Sequence, residues 1–283
     1  MTNIDNLENI NTPIFRNKTF LSKLIGPTIR QIAFLTSPFK DEQQIYYSCR
    51  NLEISVEGLL KLLIKHPVKL FYLLKVIKHW DKCYFQAQKK SINKDRYLVY
   101  TNKDHKIPFV PEEDIMYSYM YPQIFFVLGE ISNYLTNKEM QRCADCFMEL
   151  NDISHSVFIN YPTLMPRFTN HKRVSLSVVQ RLDEPLNCCP SLHIAYSVML
   201  DNISHMILGG NKQYDSILKS IKYSTLRMMN SVLYVKQHSL MDIAFGILCS
   251  KIMFEKYYNF EFNNFLSEMK LQQNDHPEID YDE

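Results

Sequence analysis

At 283 residues and 46% hydrophobic content, the chain is long enough for one large domain or two small ones and apolar enough to fill a sizeable core. A formal charge of +2 gives no bulk electrostatic case for nucleic acid, and the six glycines form no Gly-rich loop of the kind that cradles a nucleotide phosphate. The seven cysteines are odd in number and the N-terminus, Met1 to Asn17, is polar with no apolar h-region, so free thiols in a reducing compartment are the expectation.

Residues 1 to about 50 read as an N-terminal arm. Within it Phe20–Phe34 reads as a short helix interrupted by Gly26-Pro27, and Leu35–Gln43 reads as a loop. Across 52–90 the apolar residues Ile54, Leu59, Leu62, Leu63, Leu70, Phe71, Leu74 and Ile77 recur at threes and fours, and Pro67 divides the run into two helices. Lys61, Lys65, Lys69, Lys75 and Lys78 are interleaved with them. Such a pattern fits a basic amphipathic helix on a membrane surface, or more simply a helix with its apolar face on a core and its lysines in water. Lys89–Lys106 is charged and reads as a linker, with a boundary near residue 100.

Asp114–Leu135 is the most lipophilic helix candidate. Asn137–Leu150 follows as a polar helix containing Cys143-Ala144-Asp145-Cys146, and Ile153–Ile159 leads into a loop. The lone Cys-x-x-Cys fits a redox pair, or half of a zinc site with Cys188, Cys189 or a nearby His. No second paired cysteine motif at zinc spacing accompanies it. Val174–Arg181, Ser216–Leu233 and Met241–Phe260 complete the helices, and the polar, acidic end of the chain is expected to be disordered. No run alternates with period two, so the expected fold class is all-α, a helical bundle.

Three short segments carry chemistry: Tyr161-Pro162-Thr163-Leu164-Met165-Pro166-Arg167, Asn187-Cys188-Cys189-Pro190-Ser191-Leu192-His193, and Lys236-Gln237-His238-Ser239-Leu240-Met241-Asp242. His238 and Asp242 lie four apart in Val235–Phe245, which reads as helical, so the carboxylate reaches the ring on a shared face. A carboxylate on one ring nitrogen fixes the tautomer and leaves the other nitrogen to attack or to take a proton. Read alone, the pair is equally an ordinary helix-surface pair. His193 opens the apolar run Ile194–Leu200, and Pro190 suits a first helical turn whose free N–H groups hold an anion. Ser191 adds a hydroxyl there, and a histidine beside a phosphate can protonate a leaving oxygen; the plainer reading is a core histidine at a helix start.

Pro-Ser-x-His followed some tens of residues later by His-x-x-x-Asp resembles the type 2 phosphatidic acid phosphatase (PAP2) superfamily of lipid phosphatases, phosphotransferases and vanadium haloperoxidases. The similar branch has Phe-Pro-Thr-x-x-Pro-Arg, Asn-Cys-x-Pro-Ser-Leu-His and Lys-Gln-His-x-x-x-Asp, here at 161–167, 187–193 and 236–242, and Lys106-Ile107-Pro108-Phe109-Val110-Pro111 resembles its lead-in. The resemblance covers roughly 104–255. It implies a PAP2/haloperoxidase-like core over 101–262, with an N-terminal helical extension over 1–100 and a polar tail over 263–283. It implies His238 as the nucleophile that forms a phosphohistidine, Asp242 as its orienting partner, and His193 as general acid and later base. Arg167, Ser191 and Lys236 are implied as phosphate-binding groups, with no metal or other cofactor. Arginine's planar fork suits phosphate, and phosphoryl transfer asks for positioning and charge stabilisation.

Two departures from the broad pattern stand out. Asn160 occupies the place of a Lys seven residues before Arg167, and Val232 that of an Arg six residues before His238. Both absences count against vanadate chemistry; Lys236, Lys172 and Arg173 are the candidate replacements.

The expected function is hydrolysis or transfer of a phosphomonoester group, from a lipid, isoprenoid or small-molecule substrate. The alternatives are a non-catalytic lipid- or partner-binding module on the same fold and, ranked below it, a vanadium-dependent haloperoxidase. Members of the Lys-Gln-His branch are usually multi-span membrane proteins, whereas a span needs about 20 predominantly apolar residues and this chain, at mean hydropathy −0.23, offers none. The expectation is a cytoplasmic or peripheral membrane protein, with integral placement left open.

Overall fold

The computed structural model describes residues 55–182 and 185–258. The N-terminal arm, with the helix expected over Phe20–Phe34, and the acidic tail lie outside the described residues. Within them the chain is mostly helical. In chain order the elements are α1 (55–65), α2 (Pro67–Ser91), β1 (Tyr97–Leu98), α3 (Asn102–Lys106), α4 (Asp114–Tyr117), α5 (Met120–Ile131), α6 (Asn137–Asn160), β2 (Thr163–Leu164), α7 (Val174–Leu182), α8 (Leu192–Leu208), α9 (Asp215–Tyr234) and α10 (Leu240–Tyr258).

Local chemistry sets most of these limits. Pro67 starts α2, where its missing N–H is one the helix leaves unpaired anyway. Thr136 and Glu139 close a reciprocal capping box on α6, and Thr101 and Asp104 close one on α3. α6 runs unbroken through the stretch that the sequence pattern divides after Leu150, because Leu150, Ser154 and Phe158 continue one buried face at i, i+4 spacing. Asp114–Leu135, by contrast, is not one helix. A 3₁₀ turn over Pro111–Glu113 leads into α4, and the chain breaks at Ser118-Tyr119 before α5, with the Tyr119 hydroxyl held 2.8 Å from Ser55 of α1. The charged 89–106 segment is also more than a linker: β1 pairs in parallel with β2, Tyr97 opposite Thr163 and Leu98 opposite Leu164, and α3 follows.

α8 is the axis of the bundle. Twelve of its 17 residues are buried, and α5, α6, α9 and α10 pack around it. A buried polar relay ties three helices: Ser197 of α8 donates to Gln123 of α5 at 2.8 Å, and the Gln123 amide donates to Thr225 of α9 at 3.2 Å. α1 crosses α5 where both helices lack a side chain, since a Cβ on Gly129 would stand 2.1 Å from the Gly58 Cα. α2 lies along α6 in the same direction, pairing Tyr72 with Gln141, His79 with Asp152 and Ser91 with the Phe158 carbonyl.

Two of the interleaved lysines are not in water. Lys61 bridges Glu57 and Glu130 at 3.2 and 2.7 Å, and Lys69 is buried against the Ser132 carbonyl, its pKa pushed down by that burial. Among the described residues, no helix is long and apolar enough to cross a membrane.

Candidate active site

The three motif segments meet at the N-terminal ends of α8 and α10. Thr163 anchors the first to the second: it bridges to Asn187, and its hydroxyl accepts the Cys189 N–H at 3.0 Å. Arg167 joins the first to the third by donating to the Gln237 side chain. The Ser191 N–H donates to the Asp242 carbonyl at 3.0 Å, closing the second onto the third. Gly246 makes this approach possible, because a Cβ there would lie 2.7 Å from the Ser191 carbonyl oxygen and 3.2 Å from the Ile194 side chain.

The stretch Val235–Phe245 is not continuously helical. α9 ends in a Schellman turn, in which the Gln237 N–H reaches the Val232 carbonyl at 3.1 Å and the Lys236 N–H reaches that of Leu233 at the same distance. Lys236 takes the left-handed position with φ 54, where glycine is the usual occupant. Its ammonium compensates by donating to the Asp104 and Ile107 carbonyls at 2.7 and 2.5 Å. α10 begins only at Leu240, capped by a reciprocal box: the Ser239 N–H donates to Asp242 Oδ2 at 2.7 Å, and the Asp242 N–H donates to the Ser239 hydroxyl at 3.2 Å. His238 therefore sits in the gap between the helices. Its proximity to Asp242 comes from a cap rather than from a shared helix face.

Cap geometry changes which group orients the ring. His238 Nδ1 lies 3.0 Å from the Cys188 carbonyl oxygen and 3.5 Å from Asp242 Oδ2. A carbonyl can only accept, so Nδ1 carries the proton and Nε2 presents a lone pair when the ring is neutral. The nearest orienting group is thus Cys188, with Asp242 behind it. The ring is buried, at 6% exposure.

His193, second residue of α8, stacks on Tyr117 of α4 with centroids 4.3 Å apart and stands edge-on to His238 at 5.7 Å. Burial pushes its pKa down to about 3, and the neighbouring His238 lowers it further. The ring is neutral at pH 7 in the free protein. Pro190 does not lie in the first turn as its residue type predicts; Ser191 is the N-cap, and Pro190 precedes it after a cis bond.

Polar groups nearby are buried without hydrogen-bond partners. Ser191 is fully buried, its side chain makes no cap bond, and its hydroxyl has no partner among the described residues. The Asn187 side-chain amide, at 6% exposure, has none on either its oxygen or its nitrogen. Native interiors leave few such groups, and those that occur are met by an ordered water, an ion or a ligand, or store strain, or serve catalysis.

The cations are distributed unequally. Arg167 stands in the site beside Gln237. Lys236 is buried and committed to two carbonyls, which makes it a clamp on α3 in this structure. Arg173 is tied to the buried Asp114 at 2.8 Å, and Lys172 is exposed. Asn160 ends α6 in solvent with its amide on Ser156, and Val232 is fully buried in α9, so neither position offers a cation.

Asp104 was not singled out by the sequence motifs, yet it supports the site. Its Oδ1 accepts the Leu240 N–H at 2.6 Å at the start of α10. Burial alone would raise its pKa, but hydrogen bonds from Thr101 and Leu240 outweigh this and hold the carboxyl below its ordinary value. The Thr101-x-x-Asp104 capping box was the readable signal; Tyr117 and Gly246 left none.

Cys189, inside the second motif, is held as a thiol. Burial, followed by the Asp242 charge, pushes the Cys189 thiol up to about 12. Cys143 and Cys146 are buried in the core and, among the described residues, form no metal-ligating group of three with Cys188 or Cys189; burial pushes Cys143 up to about 12 as well. Compared with protein-family models, with curated proteins and with solved structures, the chain matches none.

Proposed function

We propose that the chain is a PAP2-type phosphatase or phosphotransferase acting on a phosphomonoester through a phosphohistidine on His238. The observation that carries this reading is the His238 ring, held through Nδ1 by the Cys188 carbonyl so that Nε2 carries the lone pair, next to His193. Ser191 and Asn187, buried with unsatisfied polar atoms, and the nearby Arg167 supply donors for phosphate oxygens.

In the first step His238 Nε2 attacks phosphorus and the bond to the leaving oxygen breaks. His193 gives that oxygen a proton. Its pKa of about 3 in the free protein means that the proton arrives with the substrate, whose anionic charge favours the imidazolium. In the second step water, or another alcohol in a transfer reaction, attacks the phosphohistidine. His193 takes the attacking proton, the N–P bond breaks and His238 regains its lone pair. Neither step uses a metal.

An amphiphilic substrate fits the exposed surface of the described N-terminal helices. Ile64, Phe71 and Leu74 are exposed at 73, 63 and 51%, beside exposed Lys65, Lys75 and Lys78, which supports peripheral contact with a lipid surface. The test is a phosphate-release screen of the purified chain in EDTA, across lipid, isoprenoid and soluble phosphomonoesters, with His238→Ala beside it. Release by the wild type alone is the expected result. Equal release by both proteins, or release abolished by EDTA, overturns the reading.

A further inference from the structure

A second cluster lies outside the motif segments, on the seam between α2 and α6. His79 Nε2 stands 2.8 Å from Asp152 Oδ1 and 3.7 Å from Cys83 Sγ, and the three ligand atoms all lie within 4.8 Å of one another. Two come from successive turns of α2, at i and i+4 on one face, and the third comes from α6. Among the described residues it is the group of three or more metal-ligating side chains with this geometry.

We propose that His79, Cys83 and Asp152 bind a zinc ion that staples α2 to α6. A thiolate with an imidazole and one carboxylate is a donor set for zinc rather than for magnesium or calcium, which take oxygen ligands. Distances agree with that ion. Zn–N of about 2.0 Å and Zn–S of about 2.3 Å at a tetrahedral angle put nitrogen and sulfur about 3.5 Å apart, against 3.7 Å for His79 and Cys83. The His79–Asp152 pair, now in direct contact at 2.8 Å, opens to about 3.3 Å around the same ion. Asp152 is 60% exposed, which gives the ion a path in and leaves its fourth position to water.

Cys83 is half-buried, and its thiol is raised by burial and then by the Asp152 charge, so zinc displaces a proton when it binds. His155, one turn beyond Asp152 on α6, is 4% exposed, and neither of its ring nitrogens has a hydrogen-bond partner among the described residues. Burial holds it near 4, with His79 pushing it further down, so it adds no positive charge beside the trio at neutral pH. The ion would tie a helix outside the motif-bearing part of the chain to α6, whose C-terminal end leads into the first motif loop.

The test uses the full chain and cobalt(II) as a spectroscopic substitute for zinc. Wild type is expected to develop a thiolate-to-cobalt charge-transfer band that zinc removes stoichiometrically. Cys83→Ser should abolish the band, His79→Gln should weaken binding by about tenfold or more, and Cys143→Ser should leave it unchanged. Zinc should raise the Tm of wild type by about 5 °C and that of Cys83→Ser by much less. No band in wild type, or a band that survives Cys83→Ser, overturns the proposal. His79→Gln provides the same reading should Cys83→Ser fold poorly.

Discussion

The N-terminal ends of α8 and α10 and the first half of α6 are both buried, yet they treat their reactive side chains in opposite ways. At the helix ends, the Ser191 hydroxyl and the Asn187 amide are removed from water without hydrogen-bond partners among the described residues, and the His193 pKa is held well below its ordinary range. On α6, Cys143 and Cys146 are at 2 and 0% exposure and behave as small apolar groups, with the Cys146 sulfur 4.0 Å from that of Met199. Burial therefore does not mark a site by itself. At the motif segments it coincides with unsatisfied polar groups, each of which costs stability that packing must offset.

The largest test of this contrast is His193→Ala, expected to lower turnover about 10³-fold while leaving substrate binding nearly intact, read as kcat against KM. Comparable losses from Cys143→Ser would erase the distinction between the regions. Ser191→Ala comes next. Turnover should fall about 10- to 100-fold, while stability in urea stays the same or rises, since no hydrogen bond is lost within the protein. A clear loss of stability would mean that the hydroxyl is structural.

Gly246→Ala sharpens the comparison from the packing side. Its Cβ meets the Ser191 carbonyl at 2.7 Å, so α10 must shift away from α8. The expected cost is about 1–3 kcal/mol of stability together with reduced turnover. Cys143→Ser should leave turnover unchanged and cost about 1–3 kcal/mol through burial of a hydroxyl in the apolar core.

Acid stability gives the mildest test. The unfolded chain protonates His193 below about pH 6.5, whereas the folded site resists protonation until about pH 3. The stabilising difference is present in full above 6.5 and is lost as pH falls through that window. His155, held near 4, acts with the same sign. Urea midpoints measured from pH 7 to 4 should therefore decline, and His193→Gln should flatten part of the decline.

Some of this organisation was legible in the sequence. Pro67 and the periodicity of 52–90 pointed to helices through local chemistry. The break between α9 and α10 was not legible, because Lys236 occupies a left-handed position that normally announces itself with glycine. What holds it there is tertiary, namely carbonyls of Asp104 and Ile107 about 130 residues upstream. The 89–106 segment read as a linker from its charge, and only packing shows Asp104 capping into α10. The three motif segments meet in the fold, but the Cys188 carbonyl as the nearest partner of His238 depends on a loop that no side-chain pattern encodes. His79, Cys83 and Asp152 escaped for the same reason, being split between two helices.

The most direct measurement is a rapid-quench search for a phosphoenzyme, using a radiolabelled phosphomonoester that the release screen identifies. The account predicts a protein-bound label that is stable to base, labile to acid, mapped to His238 and missing in His238→Ala. Turnover without such a label, or a label that persists in His238→Ala, would contradict it.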